Sequence, residues 1–523
     1  MQSTKRISTP CYLALPALVL AAIVLQPASA HAQMTSVGID CAQIQNLQLM
    51  KQDNMRAGQA LIECGIVRGG HAAEAGTVPP APPNVNVSNR ACTDQFNCTH
   101  SENMVYGSTK DNGTTIVVNF NDHNAGQYSG TSYSIDGGTT FHQISPPPFG
   151  TAHGTNFGDP IVVFNSKLNK WFAGDLTTGC GGQGIGLWTS LNGKVWAKGA
   201  CAHNGGGDDR ESMWVDNEPT SGTYGRMYIS FNDFAIGGAL SLVWSANGTT
   251  WSAPVIISNT ATFMRDVQVS GSPRGATRFE GNNSTVFVAS MDEGGGGFNT
   301  RQNVMYKSLD GGLTWTSSTM GLRFPAVGDS LCSSNAYFAA VNPIWRHMGW
   351  GEPAVGPNGV VHYAYARKGS LGDKGDIYYV KSLDNGKTWK APIKLNTDKD
   401  AAFKTQWMPS VSSDVAGRVT VSWYDRQSST TACTNITDAG CKYQRTARQS
   451  KDNGTTWLAQ FAISTGLIAQ PDQQDPGIQS CYEGDYDYDT AINGNAFVTW
   501  TDGSVKIGGV NVQDVDFAKV PLP

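Results

Sequence analysis

Residues 308–315 read SLDGGLTW, and this pattern of serine, acidic or amide residue, glycine and aromatic recurs along the chain. In such a turn the aspartate can accept backbone N–H groups, glycine tolerates positive φ, and the aromatic ring anchors the hairpin against neighbouring strands. The other copies are 134–141 (SIDGGTTF), 190–196 (SLNGKVW), 245–251 (SANGTTW), 382–389 (SLDNGKTW) and 450–457 (SKDNGTTW). Successive copies start 55 to 74 residues apart, which predicts a repeat architecture.

Segments that alternate apolar and polar residues surround these six turns and predict four antiparallel strands per repeat. First strands start at seven places, near Glu102, Asp159, Asp208, Asp266, Glu352, Met408 and Asp485. The seventh repeat has three visible strands, and residues 84–88 are predicted to supply its missing outer strand. The sequence therefore predicts an all-β propeller of seven four-stranded antiparallel blades, with six blades as the alternative if an end repeat is incomplete.

The turn pattern S-x-D-x-G-x-T-W resembles the Asp box of sialidases and other BNR-repeat proteins, over about residues 100–520. The resemblance implies a sialidase-like propeller. Sialidases of this superfamily hold the substrate carboxylate with three arginines and use a Tyr/Glu pair as nucleophile and base, with an Asp acid/base. The family's Arg-Ile-Pro motif is absent, since no arginine occurs between Arg90 and Arg210, so strict sialidase activity is not predicted.

The N-terminal region divides into a leader and a short helical segment. Residues 1–32 have the basic start, apolar stretch and small-residue cleavage sites of a signal peptide, so we expect a secreted protein, extracellular or periplasmic. Residues 33–82 are predicted to hold a helical stretch at 41–66 and a Pro-rich linker, and 83–523 to form the propeller. No membrane span is expected in the mature chain.

Cysteine usage and charge narrow the function classes. Of eleven cysteines, Cys11 belongs to the leader, and the remaining even number suits an oxidising compartment. The formal net charge of -5 gives no reason to expect a nucleic-acid partner. Local spacing favours the disulfides Cys41–Cys64, Cys92–Cys98, Cys180–Cys201 and Cys433–Cys441, which leaves Cys332 for Cys481.

Blade geometry predicts which face carries the chemistry. In a four-stranded blade the start of the first strand and the end of the second lie on the face opposite the Asp-box turns, so these turns are predicted to be structural. The candidate catalytic residues on the opposite face are Asp209, Glu211, Glu352, Glu483, Asp485 and Tyr486. The candidate substrate-binding residues are Arg210, Arg265, Trp345, Arg346, Trp350 and Arg426. Calcium is a candidate cation at Asp485, Asp487 and Asp489, and no cofactor is expected to be required.

Two functions of different class fit these residues. The first is a secreted glycoside hydrolase, in which one carboxylic acid protonates the leaving oxygen while another activates water or attacks the sugar. The second is a non-catalytic extracellular propeller that binds a glycan or a protein through aromatic residues of the insertion at about 320–350. Either would act as a monomer, with a glycan or glycoconjugate as the expected partner. The fold alone does not choose between them.

Overall fold

The computed structural model describes residues 34–67, 84–88, 95–124, 127–144, 153–258, 262–276, 280–342 and 345–523. The predicted signal peptide at 1–32 and residues 77–83 of the predicted Pro-rich linker at 77–85 lie outside these residues, and the predicted domain boundaries stay predictions. Among the described residues no helix is long and apolar enough to cross a membrane.

Four antiparallel sheets occupy the first half of the repeat region. Each has four consecutive strands, and the recurrent turns of the sequence connect the third strand to the fourth. They comprise His100–Gly107, Ile116–Asn124, Gln127–Ser134 and His142–Gln143; Ile161–Asn165, Lys170–Thr177, Gly184–Ser190 and Trp196–His203; Asp208–Val215, Met227–Asp233, Ala239–Ser245 and Val255–Ser258; and Met264–Gly271, Val286–Asp292, Gln302–Ser308 and Thr316–Thr319.

Three further sheets of four strands follow. The fifth comes after the long insertion, which has its own short strands Ser330–Leu331, Ala339–Asn342 and Trp345–Arg346. The three sheets comprise Glu352–Val355, Val361–Arg367, Asp376–Ser382 and Ile393–Lys394; Gln406–Ser413, Val419–Asp425, Gln444–Ser450 and Phe461–Ala462; and Thr490–Ile492, Asn495–Asp502, Asp514–Pro521 and Val85–Asn86. A small ribbon pairs Lys506–Ile507 with Val510–Asn511.

The seventh sheet joins segments that are distant in sequence. Val85 pairs with Phe517 and Asn86 with Asp516, so the prediction that residues 84–88 supply an outer strand is confirmed. The strand Asp487–Tyr488 runs parallel to the first strand of the first sheet. The N-terminal strand thus completes a sheet formed otherwise by the last repeat.

Neighbouring sheets pack side by side in chain order. From the first sheet to the sixth, the first strand of each contacts the first strand of the next, and the seventh sheet contacts both the sixth and the first. Large side chains such as Trp171, Trp188, Trp423 and Trp500 are fully buried. This all-β arrangement of four-stranded antiparallel sheets is consistent with a propeller.

The recurrent turns have the hydrogen bonds that their sequence predicts. Asp310 Oδ1 accepts the backbone N–H groups of Leu313 (3.0 Å) and Thr314 (2.9 Å) and the hydroxyl of Ser308 (2.8 Å). In the two shorter turns Asn192 and Asn247 accept backbone N–H groups in the same way. These side chains are occupied by their own turns, as expected for structural residues.

Disulfides connect the loops as predicted in four cases. The pairs Cys41–Cys64, Cys180–Cys201, Cys332–Cys481 and Cys433–Cys441 are confirmed. The fifth predicted pair involves Cys92, which lies outside the described residues. Four disulfides are consistent with an extracellular protein.

The N-terminal segment packs on the sheets. It contains the α-helix Met55–Glu63, preceded by the short 3₁₀ turns Cys41–Gln43 and Leu49–Lys51. The helix starts at the cap Asn54, whose side chain accepts the N–H of Ala57. Its apolar face, with Ala57, Ala60 and Leu61, is buried in the same core as strands of the second sheet. The remaining 3₁₀ turns are Gln95–Asn97, Phe234–Ile236, Pro357–Gly359 and Ala439–Cys441.

Candidate functional site

A β-bulge recurs near the start of the first strands. The pairing register shifts there in the first, third, fourth and sixth sheets. Glu102, Arg210, Asp266 and Met408 have positive φ values at these shifts, and Asp159 has one just before the first strand of the second sheet. A bulge re-aims side chains, and non-glycine residues in this backbone region are strained, a combination that clusters at functional sites. We define the central site as the paired charged side chains near these strand starts, namely Asp53, Asp209, Arg210, Arg265, Asp266, Arg346 and Asp485.

Three arginines of the central site surround one carboxylate of the N-terminal segment. Arg210 Nη1 lies 3.1 Å from Asp53 Oδ2, and the Arg265 guanidinium also pairs with this carboxylate. Arg346 Nη2 donates a hydrogen bond of 2.8 Å to the Asp53 backbone oxygen. Burial favours neutral Asp53, but the charges of Arg265, Arg210 and Arg346 outweigh it and hold the pKa of Asp53 below its usual value. The central site therefore binds a carboxylate in this structure.

Each arginine also pairs with an acid of the sheets or their connections. Arg210 Nη2 lies 3.2 Å from Asp266 Oδ1, and Arg265 Nη1 lies 2.5 Å from Asp209 Oδ2. Arg346 contacts the Asp485 carboxylate from Nε at 3.0 and 3.2 Å and from Nη2 at 2.5 Å. Burial raises the pKa of Asp209 and of Asp266 to about 6, although the paired arginines lower it.

The N-terminal segment covers the central site through further bonds. The backbone N–H groups of Asp53 and Asn54 donate to the Asp209 carboxylate at 3.2 and 3.1 Å. Arg56 Nη1 donates to the Gly182 oxygen at 2.7 Å and to Gln183 Oε1 at 2.9 Å. The acids beneath are consequently shielded from solvent.

Three polar side chains beside these pairs have buried atoms without hydrogen-bond partners among the described residues. They are the Tyr486 hydroxyl, both carboxyl oxygens of Glu211, and Asp159 Oδ1. Burial, and then negative charge on Glu102 and Asp159, raises the pKa of Tyr486, while burial followed by Asp159 raises that of Glu211. Buried polar atoms without partners are rare and mark positions where water or a ligand binds.

The structure brings most of the predicted site residues together. Arg210 connects two of them by lying 5.0 Å from the Tyr486 ring centroid and 4.2 Å from that of Trp350. Trp350 also donates from Nε1 to Glu293 at 2.7 Å. The predicted residues that meet at the central site are Asp209, Arg210, Glu211, Arg265, Arg346, Trp350, Asp485 and Tyr486.

Two predicted acids lie elsewhere. Glu352 accepts a hydrogen bond from Ser410 at 2.6 Å and interacts with the charges of Asp489 and Asp487. Glu483 is fully buried, and its charged neighbour is Asp472 rather than Tyr486. In the described part of the chain neither acid forms a hydrogen bond with Arg210, Arg265 or Arg346. Their catalytic roles stay predictions.

Two predicted substrate-binding residues are part of the core. Trp345 has no exposed surface and packs against Trp407 and Tyr424, with ring centroids 5.2 and 4.8 Å apart. Arg426 is also buried, donates to Gln470 at 2.8 Å and lies over the Trp407 ring. In this conformation neither side chain can touch a ligand from solvent.

The three aspartates predicted to bind calcium face two different arginines. Asp485 pairs with Arg346, whereas Arg445 lies 3.1 Å from Asp487 and 3.9 Å from Asp489. The arginines supply the positive charge that calcium would supply. Among the described residues, these three aspartates do not form a cluster of closely spaced metal ligands.

A cavity opens on the face of the recurrent turns, opposite the central site. Its volume is about 690 Å³, and it is lined by the far ends of first strands, including Val215 and Val355. Tyr106 and Trp214 contribute aromatic surface beside the hydroxyls of Ser270 and other serines. The sequence predicts no binding site on this face.

Sequence comparisons assign no family, because no family model and no curated protein matches the chain. Solved structures give low similarity. A protein of unknown function from Dyadobacter fermentans has a TM-score of 0.41 and 14% identity, over 85% of this chain and 100% of its own. The intramolecular trans-sialidase of Ruminococcus gnavus has a TM-score of 0.41 and 12% identity, over 85% of this chain and 98% of its own.

An ulvan lyase of polysaccharide lyase family PL25 has a TM-score of 0.45 and 10% identity, over 87% of this chain and 96% of the lyase. Carbohydrate-active enzymes thus occur among the structural neighbours. At these identities and TM-scores, however, the neighbours assign neither a reaction nor a substrate to this chain.

Proposed function

We propose that this chain is an exported, seven-bladed propeller that hydrolyses a carboxylate-bearing glycan at the central site. The observation that carries the proposal is the capture of the Asp53 carboxylate by Arg210 and Arg265, with Arg346 on the adjoining backbone oxygen. Paired guanidinium groups recognise planar carboxylates through charge-assisted hydrogen bonds. A glycan acid would take the place that Asp53 occupies when the N-terminal segment covers the site.

The groups beside the arginines have the chemistry that glycoside cleavage requires. Burial raises the pKa values of Glu211, Tyr486 and Asp159, which favours the protonated form of each side chain. A protonated carboxylic acid such as Asp159 can donate its proton to the leaving oxygen. Once the N-terminal segment has moved away and water reaches the site, the Glu211 carboxyl can ionise. It would then accept the Tyr486 proton as Tyr486 attacks the anomeric carbon, and water would later release the sugar.

The proposed enzyme is latent in this conformation. Asp53 and Asn54 occupy the arginines and Asp209, so a substrate can enter only after the N-terminal segment moves away. The Cys41–Cys64 disulfide ties the segment to itself and not to the sheets, so it does not prevent that movement.

The test compares single variants of the exported chain on a panel of glycans with and without carboxylates. Asp53→Asn removes the internal carboxylate, and we expect it to increase cleavage of the acidic glycans at least tenfold. The matched control is Asp40→Asn. Asp40 belongs to the same segment, but its side chain caps the turn Cys41–Gln43 and forms no hydrogen bond with the arginines within the described structure. It should behave like the wild type.

The chemical assignment is tested in the Asp53→Asn background. Adding Tyr486→Phe or Glu211→Gln should reduce cleavage by two orders of magnitude or more with little change in thermal unfolding, since both side chains lack hydrogen-bond partners within the described structure. Cleavage of neutral glycans alone, or cleavage that survives both substitutions, would contradict the proposal.

The cavity on the opposite face favours a second candidate function, a non-catalytic glycan-binding propeller. Its aromatic rings and hydroxyl groups suit the apolar faces and hydroxyls of a sugar. Trp214→Ala should then weaken binding of a glycan array, while Asp53→Asn leaves binding unchanged. Absence of any cleavage together with that result would replace the first candidate by the second.

A further inference from the structure

Four aspartates converge at the edge of the fifth sheet, away from the central site. Asp373 and Asp376 lie at the start of its third strand, and Asp398 and Asp400 follow its fourth strand, Ile393–Lys394. Carboxylate oxygens of Asp373, Asp376 and Asp400 lie within 4.8 Å of one another. We call these four residues the edge cluster.

Asp398 joins the edge cluster through a shared amide. Asn396 Nδ2 lies 2.8 Å from Asp376 Oδ1 and 2.6 Å from Asp398 Oδ1. The same nitrogen lies 2.8 Å from Gln406 Oε1, so three acceptors surround a group with only two hydrogens. The Asn396 amide therefore cannot donate to all three of these oxygens at once.

The positive charge within the edge cluster is too small to balance the negative charge of its four carboxylates. Lys394 Nζ lies 2.6 Å from Asp376 Oδ1 and 2.5 Å from Asp400 Oδ1. One ammonium thus faces four carboxylates. Like charges at this spacing repel one another unless a cation of higher charge separates them.

An unpartnered buried oxygen points into the edge cluster. Asp376 has no exposed surface, and its Oδ2 has no hydrogen-bond partner among the residues described. A Cβ built on Gly369 would lie 2.5 Å from this oxygen and 3.1 Å from Asp373 Cγ, so glycine leaves the space beside both carboxylates open. A carboxylate oxygen buried without a partner is costly, and a bound cation would remove that cost.

We propose that the edge cluster binds a calcium ion through carboxylates of Asp373, Asp376, Asp398 and Asp400. Calcium takes six to eight oxygen ligands, and water or backbone oxygens would complete its shell. The cluster offers oxygen ligands and no histidine or cysteine, which suits a hard cation better than zinc or copper. In the absence of calcium the Lys394 ammonium lies where the ion would bind. Because Lys394 is partly exposed, its side chain can move into solvent when calcium binds.

Calorimetric titration of the metal-free, full-length exported protein with calcium chloride tests the proposal. We expect one site with a dissociation constant of about 10⁻⁴–10⁻³ M, the range of extracellular calcium modules. Millimolar calcium should also raise the midpoint of thermal unfolding relative to the chelated protein. The double variant Asp376→Asn/Asp398→Asn should lose both effects, whereas Asp438→Asn, which changes an acid outside the edge cluster, should keep them.

The variant Lys394→Gln tests the same site with all four acids in place, and so does not depend on the folding of the double variant. Because its ammonium competes with the ion, this variant should bind calcium several-fold more tightly than the wild type. If Lys394 is instead the permanent counter-ion, the variant is destabilised and gains no affinity, which overturns the proposal. A titration of the wild type without heat, or an unchanged one in the double variant, overturns it equally.

Discussion

Aspartates of the recurrent turns and of the central site have the same side chain in opposite environments. Asp452 is exposed and accepts the N–H groups of Thr456 (2.8 Å) and Thr455 (3.1 Å), which lower its pKa to about 2. Asp209 is fully buried, and burial raises its pKa to about 6 in spite of Arg265. The turn stabilises a charge with fixed amide dipoles, whereas the central site retains its charges at a cost to stability.

The two environments differ in what a ligand could add to them. An acid that stabilises its own turn needs no partner from another segment, so it can recur in several repeats. Buried acids and arginines cost stability, and a ligand that pairs with them would recover part of that cost. Natural sequences tolerate such conflicts mainly at functional sites.

The largest expected effect is the loss of a buried cation from the central site. Arg265→Met removes the ion-pair partner of Asp209 and one of the arginines that pair with Asp53, and we expect it to lower the free energy of unfolding by about 3–5 kcal/mol. Chemical denaturation measures the loss. The matched control is Arg323→Met, which removes a half-exposed partner of Asp292 and should cost at most about 1 kcal/mol. Equal losses in the two variants would remove the distinction between the regions.

A smaller effect is expected in a recurrent turn. Asp452→Ala removes the acceptor of two backbone N–H groups, and the expected loss in unfolding free energy is about 1 kcal/mol, as for a helix cap. Asp452→Asn should lose less, because Asn192 and Asn247 fill this role in the second and third turns. An equal loss for asparagine and for alanine would show that the charge itself holds the turn.

The smallest effect concerns pH. Because the folded pKa values of Asp208 (about 7) and Asp266 (about 6) are raised by burial, the folded state binds more protons than the unfolded state between about pH 4 and 7. Stability should therefore decrease as pH rises through this window, and the midpoint of thermal unfolding should fall with it.

Asp452 contributes with the opposite sign, since its lowered pKa gives stability that is present above about pH 4 and lost as pH falls toward 2. Scanning calorimetry across this range should consequently give the highest midpoint near pH 4–5. A midpoint that rises steadily from pH 4 to 7 would mean that the buried acids are charged in the folded state.

Much of the fold follows from the sequence because its signals are local. The alternation at 495–502 predicts the strand Asn495–Asp502, and short spacings predict pairs such as Cys433–Cys441. The turn residues predict their own hydrogen bonds, since donor and acceptor are at most four residues apart.

The central site is harder to predict because it depends on contacts between distant segments. No sequence signal in residues 41–66 indicates that Asp53 docks on three arginines. An aromatic such as Trp345 fits a core as well as a sugar, and only the packing against Trp407 and Tyr424 decides. Bulges add a second difficulty, since each one changes which side chains of a first strand point to the centre.

The pairing of Val85–Asn86 with Asp514–Pro521 has a consequence for the folding process. Asn86 bonds to Asp514 across 428 residues of sequence, so the seventh sheet is complete only after nearly all of the repeats have been synthesised. Closing so long a loop has an entropic cost and makes the last step slow. The seventh sheet, and with it the contacts that it makes to the first and sixth sheets, would accordingly form late in folding.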